Sequence, residues 1–91
     1  PHIGWNELRS SHGQQFWEGT ILSGTAENTA VYFVHSFMAE PDDENCRLAD
    51  TYYNGCRITA VLCKENIYGC QFHPEKSGPR GLKILETFLS I

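Results

Sequence analysis

Two short turn signals, Asn54-Gly55 and Glu65-Asn66, most constrain how this chain can fold. Asn-Gly is the pair that type I′ hairpin turns favour, because both central residues of such a turn adopt positive φ angles. Apolar, β-branched and aromatic residues flank the two turns and predict strands over 48–53, 56–63 and 67–72. The middle of the chain is therefore predicted to form two consecutive antiparallel hairpins.

A two-residue loop at Glu65-Asn66 also fixes the register of the second hairpin. Strand alternation then pairs Val61 with Cys70 and Cys63 with Tyr68. Apolar side chains occupy both faces of this hairpin. We therefore expect it to be covered on both sides, as in a layered α/β fold.

One more strand and one helix are predicted outside the hairpins. Ala30 to Phe37 is rich in β-branched and aromatic residues and predicts a strand. Ser77 is a predicted N-cap, and Pro79 suits the first turn of a helix. Helical spacing then predicts a C-terminal helix of roughly ten residues. Its apolar stripe is predicted to be a packing face, formed by Leu82, Leu85, Phe88 and Leu89.

Three stretches are more polar. Pro1 to Asn6 is predicted to be a strand end or a loop, because Pro, Gly and Asn punctuate it. Residues 7–30 hold few periodic apolar positions apart from Phe16-Trp17 and Ile21-Leu22. Glu40 to Asn45 is acidic and predicts a solvated loop. No repeat or linker is visible, so residues 1–91 are predicted to be one structural unit.

Composition limits the classes of function that fit. The 91 residues are 41% hydrophobic and carry a formal net charge of -4, as in an ordinary globular protein with a thin core. The acidic balance argues against a nucleic-acid or membrane surface, and no apolar run approaches the roughly 20 residues of a membrane span. Because the chain starts at Pro1 and not at Met, we expect it to be a piece of a longer protein.

Cysteine and histidine spacing argues against disulfides and metals. The cysteines, Cys46, Cys56, Cys63 and Cys70, form no Cys-x-x-Cys pair, and the four His residues are scattered. We interpret the cysteines as reduced core thiols, which suits a cytoplasmic protein. The scatter does not match zinc-ligand spacing, so neither a metal site nor another cofactor is predicted.

The segment Gln71-Phe72-His73-Pro74-Glu75-Lys76-Ser77 carries the candidate chemistry. An imidazole can take and return a proton near neutral pH, and a nearby carboxylate can fix its tautomer and stabilise its charged form. His73 and Glu75 thus supply the base and the orienting group of a triad. Pro74 favours an extended conformation at His73. A solvated turn with the same residues is the alternative interpretation.

The wider sequence resembles the class I glutamine amidotransferases. Gly69 to Glu75 is similar to the strand-to-loop segment that carries the His and Glu of their Cys-His-Glu triad. Lys76-Ser77, the opening Pro1 to Asn6 and the segment Tyr32 to Phe37 narrow the resemblance to the glutaminase subunits of imidazole glycerol phosphate synthase. It implies that this chain is the C-terminal half of a three-layer α/β glutaminase domain.

The resemblance assigns roles to residues. It implies that His73 and Glu75 are catalytic, and that a short helical turn occupies much of residues 7–30. It places the α-carboxylate of glutamine at His35, Ser36 and Phe37, although the family often has Tyr where Phe37 stands. No cysteine here lies in a Gly-x-Cys-x-Gly elbow, so we expect the nucleophile to precede the first residue.

A partner is implied as well. In the resembled family a HisF-like (β/α)8-barrel cyclase subunit takes up the ammonia and forms imidazole glycerol phosphate in histidine biosynthesis. Trp5, Asn6 and Lys76 are the implied interface residues. Two alternatives stay open: the glutaminase of another amidotransferase, such as a paralogue that feeds a sugar-modifying synthetase, and a non-catalytic scaffold of the same fold. A Gly-x-Cys-x-Gly elbow upstream would support an enzyme.

Overall fold

A computed structural model describes residues 1–13 and 17–91 of the chain. Strands dominate it and one helix ends it, as the sequence predicted, so the expectation of part of an α/β fold is confirmed. Short 3₁₀ turns cover Glu44–Cys46 and Pro74–Lys76. The strands and the helix are β1 (His2–Glu7), β2 (Arg9–Ser10), β3 (Ala30–His35), β4 (Arg47–Tyr53), β5 (Cys56–Lys64), β6 (Ile67–Cys70) and α1 (Gly78–Ser90).

The strands form two antiparallel sheets, one of β1 and β3 and one in the order β2-β4-β5-β6. Asn54 and Gly55 have φ angles of 50° and 77°, as the predicted hairpin turn between β4 and β5 requires. The predicted register of the second hairpin is confirmed: Val61 pairs with Cys70, and Cys63 pairs with Tyr68. Local turn chemistry was enough to fix this part of the fold.

The core gathers apolar side chains from both sheets, from the loop before β3 and from α1. Its largest fully buried apolar members are Phe33, Leu8, Leu22, Ile84, Val31 and Val61. The Trp17 indole N–H donates to the Leu48 carbonyl at 3.1 Å, so the loop before β3 is tied to β4. This core supports β3 and the end of β6, where the candidate site lies.

The helix differs from its prediction in length and in the face that it buries. It has 13 residues, and Gly81 and Ile84 are its buried members. The prediction that the apolar stripe is a packing face is wrong for residues 1–91, because the stripe is exposed. The exposed fractions of its side chains are 53% for Leu82, 38% for Leu85, 48% for Phe88 and 82% for Leu89. Spacing identified an apolar stripe but not what covers it.

Other local predictions are corrected too. Residues 2–7 form a complete strand, because β1 pairs with β3 along its whole length. The described part of residues 7–30 contains β2 and a series of turns, and not the predicted helical turn. Backbone hydrogen bonds close these turns between residues 17 and 20, 20 and 23, and 22 and 25. Phe16 lies outside the described residues. The 40–45 stretch is the predicted exposed loop.

The second hairpin and the cysteines are less buried than expected. Ile67 is 70% exposed and Cys70 is also exposed, so the hairpin is not covered on both sides. All four cysteines are free thiols, as predicted. Cys63 is partly buried and packs against the core, whereas Cys56 and Cys70 are exposed, which corrects the assignment of these two to the core. Among the described residues, no helix is long and apolar enough to cross a membrane.

Candidate active site

The end of β6 places His73 at the edge of β3. Phe72 is 3% exposed, and its ring meets that of Phe33 edge-on with centroids 5.8 Å apart. The His73 N–H donates to the Tyr32 carbonyl at 3.0 Å. Its φ of -105° and ψ of 98° are the extended values that a following Pro favours. The core thus fixes the backbone of His73 from one side and β3 fixes it from the other.

The 3₁₀ turn Pro74–Lys76 folds the chain back and brings the two candidate catalytic side chains together. The Glu75 Oε2 atom lies 3.1 Å from the Nδ1 atom of His73. A carboxylate can only accept here, so Nδ1 carries the proton and the lone pair of the neutral imidazole is on Nε2. The His73 side chain is 36% exposed, so Nε2 can face a reacting group.

Glu75 is suited to remain ionised. A hydrogen bond from its own backbone N–H, followed by the bond from His73, lowers the pKa of its carboxyl below the ordinary value. The side chain is 59% exposed, so we assign this pair no stabilising energy. Its effect here is to orient the imidazole and to favour the charged form that follows proton uptake.

Ser77 clamps the catalytic segment, a role that the sequence did not reveal. Its Oγ donates to the His73 carbonyl at 2.6 Å and accepts the Tyr32 N–H at 2.9 Å. The residue is 3% exposed and is the N-cap of α1, as predicted, but its side chain makes no capping hydrogen bond to the helix. Its hydroxyl joins β3 to the turn that holds the base. Ser77 and Tyr32 are 45 positions apart in the sequence, so their hydrogen bond leaves no local sequence signal.

Gly81 provides the space that this turn needs. A Cβ atom at this position would overlap the carbonyl oxygen of Pro74 and lie 2.6 Å from Ser77 Cβ. Only a residue without a side chain lets the first turn of α1 approach so closely. A glycine inside a helical pattern was the available signal, since glycine there otherwise costs stability.

The predicted substrate-binding residues lie at the end of β3, about 10 Å along the strand from Tyr32. His35 Nδ1 lies 2.8 Å from the Phe37 carbonyl, and the Phe37 side chain is 88% exposed. A cavity of about 310 Å³ lies beside this loop and is lined in part by His35, Ser36 and Phe37. These three residues thus lie together beside one cavity, and they are separated along β3 from the place where His73 and Glu75 meet.

The predicted interface residues occupy two faces of β1 and the catalytic turn. Trp5 is 56% exposed, and its ring meets Tyr32 edge-on at 5.7 Å, so it lies next to the strand that holds His73. Asn6 points to the opposite face, where its Oδ1 lies 2.6 Å from His2 Nε2. Lys76 is exposed at the end of the 3₁₀ turn.

No described cysteine is arranged as a nucleophile beside His73. The Cys70 residue is exposed by area, yet the surrounding protein desolvates its thiol and raises the pKa of Cys70 to about 11. The desolvation determines the reactivity of Cys70, because it acts on the sulfur itself. A thiol with so high a pKa is not the thiolate that attacks an amide. The described residues therefore hold a candidate base and a candidate orienting carboxylate.

A family profile described as "Glutamine amidotransferase class-I" matches residues 1–91, the whole chain. The chain belongs to the class I glutamine amidotransferase family. His73 and Glu75 meet in a segment that lies within the residues matched by this profile. Its fold of strands with a C-terminal helix agrees with part of that α/β architecture.

Curated relatives resemble this amidotransferase chain along its full length. "Imidazole glycerol phosphate synthase subunit HisH 1" of Legionella pneumophila (strain Lens) is 58% identical over 91 residues, which are 100% of this chain and 43% of the relative. HisH subunits of Geobacillus sp. and Bacillus cereus are 45% and 39% identical, each over 100% of this chain and 40% of the relative. The chain thus spans about two fifths of the length of these relatives.

Proposed function

We propose that the protein containing this chain is a glutaminase of the amidotransferase type, which hydrolyses glutamine to glutamate and ammonia. The single observation that carries this is the contact of 3.1 Å between His73 Nδ1 and Glu75 Oε2, in a chain that belongs to the class I glutamine amidotransferase family. His73 Nε2 would take the proton of a cysteine nucleophile and return it to the departing ammonia. Residues 1–91 would be the C-terminal half of that domain, and Cys70 would not take part.

The HisH relatives favour histidine biosynthesis as the pathway. Ammonia would then pass to a cyclase partner that forms imidazole glycerol phosphate, in a heterodimer that needs no cofactor. Free thiols at all four cysteines agree with a cytoplasmic protein. His35, Ser36 and Phe37 would bind the α-carboxylate of glutamine, and Trp5, Asn6 and Lys76 would face the partner.

The 91-residue chain by itself is expected to show no glutaminase activity, because its base has no nucleophile to activate. The measurement is glutamate release by the isolated chain and by the full-length protein at equal molar concentration. A folded chain is verified by circular dichroism. Turnover by the isolated chain that disappears in His73→Ala would contradict this prediction, since one of its own cysteines would then be catalytic.

Exchanging Lys76 for Glu in the full-length protein is expected to weaken partner binding about tenfold or more, because a charge reversal at an interface replaces attraction by repulsion. Trp5→Ala should act in the same direction through lost aromatic contact. Both side chains are exposed, so the free energy of unfolding should change by less than about 0.5 kcal/mol.

Titration of the cyclase subunit, with the ratio of glutamate to imidazole product, measures both effects. Lys64→Glu, at the exposed end of β5, is the matched charge control and should leave affinity unchanged. Unchanged affinity and an unchanged product ratio in both interface variants would contradict the proposed surface. The general glutaminase assignment would still stand.

A further inference from the structure

A chain of hydrogen-bonding groups connects β1 with the loop that follows β3. The Asn6 Oδ1 atom lies 2.6 Å from His2 Nε2, and His2 Nδ1 lies 2.8 Å from His35 Nε2. The chain ends where His35 Nδ1 lies 2.8 Å from the Phe37 carbonyl oxygen. We call Asn6, His2, His35 and the Phe37 carbonyl the histidine relay. It runs from one candidate interface residue to the candidate substrate loop.

Packing holds the centre of the relay in place. His2 is 3% exposed, and its ring is stacked between Phe33 at 4.6 Å and Tyr53 at 4.1 Å. The stacking is nearly parallel on both sides, with interplanar angles of 16° and 24°. Partial rotation of the imidazole about its Cβ–Cγ bond would lose both stacked contacts, and a half-turn would lose the hydrogen bonds to Asn6 and His35.

The number of protons in the relay follows from its two ends. The Phe37 carbonyl can only accept, so His35 Nδ1 carries a proton. The Asn6 Nδ2 donates to the Tyr52 carbonyl at 3.4 Å, which leaves Oδ1 to accept from His2 Nε2. With those nitrogens protonated, the facing nitrogens His2 Nδ1 and His35 Nε2 would both hold lone pairs. At 2.8 Å they require a proton between them.

The relay in this arrangement therefore carries one positive charge, shared by two imidazoles. The charge lies between the electron-rich faces of Phe33 and Tyr53, which favour a cation. Desolvation, opposed by the bond to the Phe37 carbonyl and reinforced by the charge of His2, lowers the pKa of His35. Burial thus disfavours a charged imidazole, so the single charge depends on the hydrogen bonds of the relay, and a second proton would also be repelled by the first.

Few other charges reach the pair. The cavity beside it is also lined by Tyr53 and Cys56, and no Asp, Glu, Lys or Arg is among the described residues that line it. A neutral relay requires the Asn6 amide to turn over, so that Nδ2 donates to His2 Nε2 and the bond to the Tyr52 carbonyl is lost.

We propose that His2 and His35 are positioning residues for glutamine binding, and that the Asn6 amide sets their proton count. The bond from His35 holds the loop of Ser36 and Phe37, so its strength decides how well that loop receives the substrate carboxylate. A group of the partner subunit that binds the Asn6 amide would select one of the two orientations of that amide. It would thereby fix the number of protons on His2 and His35. This inference rests on the proposed glutaminase function and adds to it how the interface reaches the substrate loop.

Kinetics of the full-length protein with its cyclase partner tests the relay. His2→Phe keeps an aromatic ring in the stack but removes both hydrogen bonds, so KM for glutamine is expected to rise about tenfold while kcat changes less than threefold. His12→Phe makes the same exchange at an exposed imidazole outside the relay, and is the matched control with an unchanged KM. A KM for His2→Phe within twofold of wild type would overturn the proposal.

His35→Asn separates the two bonds of His35, because a short amide can still donate to the Phe37 carbonyl but cannot reach His2. It is expected to remove the influence of the interface: Asn6→Leu should raise KM in the wild-type background and have no effect in His35→Asn. Equal effects of Asn6→Leu in both backgrounds would overturn the coupling.

Imidazole NMR on the full-length subunit, labelled with ¹⁵N at histidine, tests the shared proton without any activity. One downfield proton coupled to nitrogens of both His2 and His35, absent from His2→Phe, is expected. Two neutral imidazoles that titrate independently would overturn the proposal. Absence of glutamine turnover in the wild-type complex would instead overturn the glutaminase function and leave this NMR result intact.

Discussion

His73→Ala in the full-length protein is expected to lower kcat for glutamine hydrolysis about 10²- to 10⁴-fold, the range that a positioned general base supplies. The side chain that is removed touches Glu75 at 3.1 Å and is 36% exposed, whereas the backbone bond to Tyr32 remains. The free energy of unfolding should therefore change by less than about 1 kcal/mol. KM should change much less than kcat, because the base acts on the nucleophile and not on bound glutamine.

A matched control and a graded variant sharpen this test. His12→Ala removes an exposed imidazole that contacts the Glu44 carbonyl, and should leave kcat unchanged. Glu75→Gln keeps an acceptor beside Nδ1 but removes the charge, so we expect a smaller loss of about 10- to 100-fold for this exposed pair. A kcat for His73→Ala within tenfold of wild type would contradict the assignment of the base.

The pH profile distinguishes the two side chains. The folded protein lowers the pKa of the Glu75 carboxyl, so its orienting charge is present above the ordinary glutamate value and is lost only as pH falls through the lowered pKa. The ratio of kcat for wild type to kcat for Glu75→Gln is therefore expected to stay constant from neutral pH down through the ordinary glutamate value and to fall only below the lowered pKa. The residual rate of His73→Ala should show no such step, because the carboxylate then has no imidazole to orient.

The sequence predicted the hairpins because their determinants are local. Asn54-Gly55 favours the positive φ angles that its turn requires, and a two-residue loop sets the pairing of Val61 with Cys70. The His73-Pro74-Glu75 spacing was informative for the same reason. Proline at the centre restricts the backbone, and a 3₁₀ turn over so few residues brings the carboxylate back to the imidazole.

The supports of the site could not be predicted, since they depend on contacts that are distant in sequence. Ser77 precedes a helix and has the residue type of a cap, but its hydroxyl is held by Tyr32 and by the His73 carbonyl. His2 had no motif around it, and its place between two aromatic rings depends on the pairing of β1 with β3. Propensity describes neighbours along the chain, whereas these bonds join separate elements.

Gly81→Ala is expected to destabilise the protein by about 1 to 3 kcal/mol, the usual range for overpacking. An exposed glycine inside a helix would show the reverse, since alanine favours helix by about 1 kcal/mol. The difference arises because the new methyl group would overlap the Pro74 carbonyl and come within 2.6 Å of Ser77 Cβ. Either α1 or the catalytic turn has to move away.

Movement of the turn should also be visible in catalysis, because His73 and Ser77 flank the carbonyl that is displaced. In the full-length protein we expect kcat to fall about 10- to 100-fold with a smaller change in KM, as for a misplaced base. Gly69→Ala is the matched control: its φ is not in the left-handed range, and the new Cβ would meet nothing closer than Leu62 Cβ at 4.0 Å. Denaturant unfolding and glutaminase kinetics measure both variants. If Gly81→Ala were as stable and as active as Gly69→Ala, the close approach of α1 to Pro74 would not be what positions His73.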